Sequence, residues 1–108
     1  MIKKVLSVKG FEGLRIVYRT KMGDGVYGMC TGSQNLIELS LKQNTTQEMM
    51  DSSLFHELLH LTIYKAGWSE ILETNSVVEE GLVIMLENSL KQIVKFEYEE
   101  IENKTKVN

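Results

Sequence analysis

The chain has 108 residues, 43% hydrophobic and 25% charged, which matches one ordinary globular domain and excludes a disordered segment. A formal net charge of −3 excludes the basic footprint of a nucleic-acid binder, and the Lys3, Lys4, Lys9 cluster is too small to reverse it. The single cysteine, Cys30, allows no internal disulfide and suits a reducing compartment, while having only two histidines means that any zinc chemistry must use both.

The opening segment, MIKKVLSVKG, has two lysines but only Val5, Leu6 and Val8 behind them, short of the roughly 7 to 15 apolar residues of a secretory signal. No run approaches the roughly 18 apolar residues of a membrane span. The expectation is a cytoplasmic protein with no membrane partner.

Up to about residue 41 the hydrophobic period is two. Val5–Val8, Leu14–Tyr18, Val26–Cys30 and Leu36–Leu41 are strand candidates, with Ile37, Leu39 and Leu41 alternating as on a half-buried strand. Lys21–Gly25 and Thr31–Asn35 separate them as turns, Gly23 and Gly25 being expected to supply positive φ on either side of Asp24. A small antiparallel sheet spanning about 5–41 is the economical reading.

After Asn44 the period becomes helical. Thr45 with Glu48 fits a capping box, and Met49, Met50, Leu54, Leu58, Leu61 and Thr62 recur near 3.6 spacing, with Gly67 as a stop. This predicts a helix over about 46–66. A second box, Ser76 with Glu79, opens a helix over about 77–94, and a charged tail follows at 95–108, either fraying from it or adding an edge strand through Phe96 and Tyr98. The fold class expected is α+β: the sheet packed against two helices in one domain, 1–108.

His56-Glu57-Leu58-Leu59-His60 lies in the first helix. Histidines at i and i+4 share a helical face and can converge on one ion, while Glu57, about 100° round, flanks it. That arrangement suits zinc hydrolysis: two neutral imidazoles hold Zn²⁺, which lowers the pKa of water, and Glu57 takes the proton and passes it to the leaving amine.

Zinc needs a third protein ligand, and with no third histidine it must be Asp, Glu or Cys. Glu79 and Glu80 are the candidates. Helical phase favours Glu79, in line with Leu82, Val83, Leu86 and Leu90, but the capping box already occupies it. Glu80 has no such explanation, and Gly81 after it is costly in a first turn unless another element approaches there. The residues alone leave both open.

His56-Glu-Leu-Leu-His60 with Glu80-Gly-Leu-Val and a further acid at Glu87 resembles the gluzincin class of zinc metallopeptidases. Over about residues 14 to 94 the chain is similar to the minimal HExxH proteins of phages and prophages, distant relatives of ImmA/IrrE-type and SprT-like domains. Tyr27-Gly28 in the strands belongs to that likeness. The resemblance implies a zincin-like fold, Glu80 as third ligand after His56 and His60, Glu57 as the catalytic base, and a peptide or protein substrate. It places a phage-encoded protein in the host cytoplasm. The loop from Gly67 to Asn75 departs from any signature of the family.

Tyr64 and Tyr27 are candidate donors to an oxyanion, although packing is the commoner role of each. Cys30 reads as a small buried hydrophobe rather than a nucleophile, the methionines Met22, Met29, Met49, Met50 and Met85 as core filler, and Trp68 as a cap on the core. The strand at Tyr27–Met29 could accept an extended peptide by its edge. Two other readings stand beside the peptidase: a zinc-stabilised binding module without turnover, and a metal-free interaction protein.

Overall fold

In a computed structural model, which describes residues 2–68, 76–90 and 97–98, the described residues form an α+β arrangement of five strands and two helices. Strands β1 (Val5–Ser7), β2 (Arg15–Arg19), β3 (Gly28–Thr31) and β4 (Leu36–Ser40) precede helices α1 (Gln47–Lys65) and α2 (Ser76–Leu90), and β5 (Glu97–Tyr98) follows. The expected behaviour of 69–75, 91–96 and 99–108 lies outside the described residues.

The main sheet is mixed, which corrects the antiparallel expectation. Its order is β2-β4-β3, with β4 parallel to β2 and antiparallel to β3. The tight connection through the 3-10 turn Gly32–Gln34 makes β3 and β4 antiparallel neighbours, and Asn35 closes that turn in the left-handed region at φ 49°. A simple meander would put β3 in the middle. Instead β4 takes the centre because it carries the apolar residues: Leu36, Ile37 and Leu39 are buried, as is Ser40. It is therefore buried on both faces rather than half-buried. Alternation along a strand encodes its faces but not its neighbours. A second pairing, β1 with β5, sets Val5 opposite Tyr98 and is antiparallel.

Of the turn glycines expected at positive φ, Gly25 has it (74°) and Gly23 does not. Asn44, fully buried, ties the turn to the rest. Its amide donates to the carbonyls of Tyr27 (2.9 Å) and Ser40 (2.7 Å), and its oxygen accepts from Ser53 on α1 (2.6 Å). So the segment entering β3 is fastened to α1 by a satisfied buried amide.

The cap of α1 is Thr46, one residue later than expected, its side chain accepting from the Met49 N–H. The helix ends as anticipated: Gly67 has φ +78°, its N–H reaches the Tyr64 carbonyl and the Trp68 N–H reaches Ile63. These are the paired bonds of a Schellman ending. Trp68 beyond it is exposed, and so are Met29 and Met85, which corrects their assignment to the core.

Helix α1 has two apolar faces. Met50, Leu54, Leu58 and Leu61 pack with Val5, Ile37 and Leu39 over the sheet. Phe55, Leu59 and Ile63 pack with Leu82, Val83 and Leu86 of α2. At 100° per residue, with Met50 at zero, the first set falls within about 0–80° and the second within about 140–220°. His56 and His60, at about 240° and 280°, lie just beyond the α2 face, and Glu57, at about 340°, borders the sheet. The histidines thus fall in the seam between α2 and β3.

Candidate metal centre

The seam brings His56, His60 and Glu80 together as a group that could hold a metal ion, their ligand atoms all within 4.8 Å of one another. The Glu80 carboxylate spans both rings: one oxygen is 2.8 Å from His56 Nε2 and the other 3.1 Å from His60 Nε2. Two ring nitrogens and a carboxylate oxygen gathered this closely are a donor set of the kind that divalent metals take. The set has two borderline imidazoles and one hard carboxylate, which also suits other divalent first-row metals.

Glu79, the alternative candidate, is not in this group. Its carboxylate lies 2.6 Å from His60 Nδ1, on the outer side of the ring. Helical phase aims Glu79 at α1, as this contact requires, in a helix that begins at Ser76. Glu87 occupies the equivalent place on the other ring, 3.2 Å from His56 Nδ1. Sequence reasoning missed both of these roles. A signal was present: Glu79, Val83 and Glu87 form an i, i+4, i+8 stripe, and Val83 between them is fully buried against α1. In an antiparallel pairing the earlier acid meets the later histidine.

Gly81 has nothing within 4 Å of where a Cβ would stand. Among the described residues the expected close approach is not found, and none of them gives a packing reason for this glycine in the first turns of α2.

Glu57 is buried beside the two histidines. Burial pushes its carboxyl above the usual range, and the neighbouring His56 and His60 pull back only in part. Gly28 makes its position possible. A Cβ there would stand 3.2 Å from Glu57 Cγ, 3.2 Å from the Glu38 carbonyl and 3.1 Å from Leu39.

Two clefts meet at Gly28, His56 and Glu57. One, of about 430 Å³, takes in Cys30, His60, Tyr64, Glu79 and Glu80. The other, of about 380 Å³, runs past Tyr27, Ser52, Ser53 and Glu87. The two tyrosines therefore line different clefts. Tyr64 lies over Gly32, where a Cβ would come within 2.4 Å of its ring, so the close approach of α1 to the 3-10 turn depends on that glycine. Burial, reinforced by the charges of Glu57 and Glu79, raises the Cys30 thiol to about 11. A thiol so held is a poor nucleophile near neutrality.

No described helix is long and apolar enough to cross a membrane. Comparison with known proteins finds no matching family model, no matching curated protein and no matching solved structure.

Proposed function

We propose that this chain is a zinc-dependent metallopeptidase of gluzincin type, with His56, His60 and Glu80 as metal ligands and Glu57 as general base. The observation that carries the reading is the convergence of both Nε2 atoms and the Glu80 carboxylate beside a buried Glu57, at the junction of two clefts. A zinc ion held there would supply Lewis acidity and lower the pKa of water.

The protein's own groups account for the rest. Glu57, disfavoured as an anion by burial, is poised to accept the proton of the attacking water and to release it to the leaving amine. Strand β3 forms one edge of the sheet and lines the larger cleft through Gly28, Met29 and Cys30. An extended substrate could pair with that edge and pass the Glu57 carboxylate. Tyr64 is the better placed oxyanion donor, since it shares this cleft with His60 and Glu80, whereas Tyr27 lies in the other.

The test is metal analysis together with Glu57→Gln. About one zinc per chain in both proteins is expected, with peptide hydrolysis lowered about 10²- to 10⁴-fold in the variant. Purified protein without stoichiometric metal ends the reading.

One observation favours a second reading, a zinc-stabilised binding module without turnover. Among the described residues, every carboxylate paired with the two histidines comes from α2, and that helix otherwise holds to α1 through Leu82, Val83 and Leu86. An ion would staple the helices together. Zinc bound in wild type with no hydrolysis of any unfolded protein substrate selects this reading.

A further inference from the structure

Two of the four carboxylates around the imidazoles have no part in the ligand set or in the chemistry assigned to Glu57. Glu79 reaches His60 Nδ1 at 2.6 Å, and Glu87 reaches His56 Nδ1 at 3.2 Å. Each is about four-fifths buried, whereas Glu80 is half exposed on the open side of the rings. The stripe Glu79, Val83, Glu87 is anchored at its centre by the fully buried Val83, which fixes where both acids meet α1.

A neutral histidine that gives Nε2 to a cation carries its one proton on Nδ1. That N–H then needs an acceptor, and a carboxylate both fixes the ring and raises the basicity of the ligating nitrogen. We propose that Glu79 and Glu87 are positioning residues, one for each histidine, holding Nδ1–H of His60 and of His56 so that both Nε2 atoms face the same ion. This rests on the metal reading above and deepens it. Adjacent acids on α2 then do different work. Glu80 faces the ion, and Glu79 lies behind the His60 ring.

The pairing is specific, and so is its test. Zinc affinity is measured by competition with a chromophoric chelator on metal-stripped wild type, Glu79→Ala and Glu87→Ala. In parallel, imidazole N–H signals are recorded on the zinc-loaded, ¹⁵N-labelled proteins. Each substitution is expected to weaken zinc binding about 10- to 100-fold. Glu79→Ala should remove the exchange-protected Nδ1–H signal of His60 alone, and Glu87→Ala that of His56 alone. General loosening of the helix would erase both signals in both variants, and that outcome overturns the proposal. So does zinc binding within twofold of wild type with both signals kept. Should an alanine variant fail to fold, Glu79→Gln and Glu87→Gln keep the volume and an acceptor oxygen. There the same one-ring change in the N–H signal is expected with a smaller loss of affinity, and an unchanged signal overturns the proposal. Absence of zinc binding by wild type overturns the metal reading and this proposal together, whereas wild-type binding equal to that of the variants overturns this one alone.

Discussion

Glu57 and Cys30 line the same cleft, and burial pushes both away from their charged forms. For Cys30 the consequence is low reactivity. With its thiol raised to about 11, alkylation of the folded protein at pH 8 should run at least tenfold slower than for a free thiol, whose pKa is about 8.5. A rate matching the free thiol would contradict the burial argument. For Glu57 the consequence is a stability that depends on pH. Its carboxyl is raised in the folded state, so its contribution is fully present below the unfolded pKa and is lost as pH rises through the folded one. In metal-free protein at pH 7, above the unfolded pKa, the raised carboxyl of Glu57 is therefore a cost, and Glu57→Gln should raise the melting temperature. The gain should shrink as pH falls into the carboxylate range, where the wild-type group is protonated. Paired melting curves in chelator from pH 4 to 7 check this; an offset constant with pH would assign the effect to packing.

At the scale of elements, two glycines separate close approach from open space. Gly28→Ala places a methyl 3.2 Å from the Glu38 carbonyl and from Glu57 Cγ, and backbone cannot move aside as a flexible side chain would. Overpacking of this kind costs about 1–3 kcal/mol and should shift Glu57, lowering both denaturant stability and any hydrolysis. Gly81→Ala meets nothing within 4 Å among the described residues and has no positive φ to preserve, so it should stabilise α2 by up to about 1 kcal/mol. Urea unfolding of the pair measures both, and equal effects would refute the contrast. The helices themselves were legible as elements: 46–66 was expected and Gln47–Lys65 is found, and the Gly67 stop has its left-handed conformation. The caps were less so. Thr45 and Thr46 are adjacent threonines, and which one caps depends on the backbone between Asn44 and α1; Asn44 is held in place by Ser40, Tyr27 and Ser53, contacts that local pattern does not contain.

Across the whole molecule, α1 serves two partners. One apolar face closes the core over β4, and the other holds α2, with the histidines in the seam. Among the described residues α2 has the smaller apolar contact, so an ion bridging the helices would add much of its docking energy. Ligand held at 1,000 times its dissociation constant stabilises by about 4 kcal/mol, or roughly 15 °C or more for a domain of this size. Stripping zinc with EDTA should therefore lower the melting temperature by that order, with helical signal at 222 nm lost before the sheet unfolds. No shift on chelation would exclude both zinc readings.

The residues alone determined which side chains share a face: His56 and His60 four apart, Glu57 a step round, the stripe of α2, and the change from period two to period 3.6 near Asn44. Those follow from helix and strand geometry, which is local. Tertiary structure decided what each face meets. It put β4 rather than β3 at the centre of a mixed sheet, because burial of Leu36, Ile37 and Leu39 outweighs chain order. It also divided three glutamates between the two sides of two rings, Glu80 on the Nε2 atoms and Glu79 and Glu87 on the Nδ1 atoms. That division depends on the register between helices whose partners lie 19 to 31 residues apart, set by Val83 packing against α1, and no local periodicity carries it.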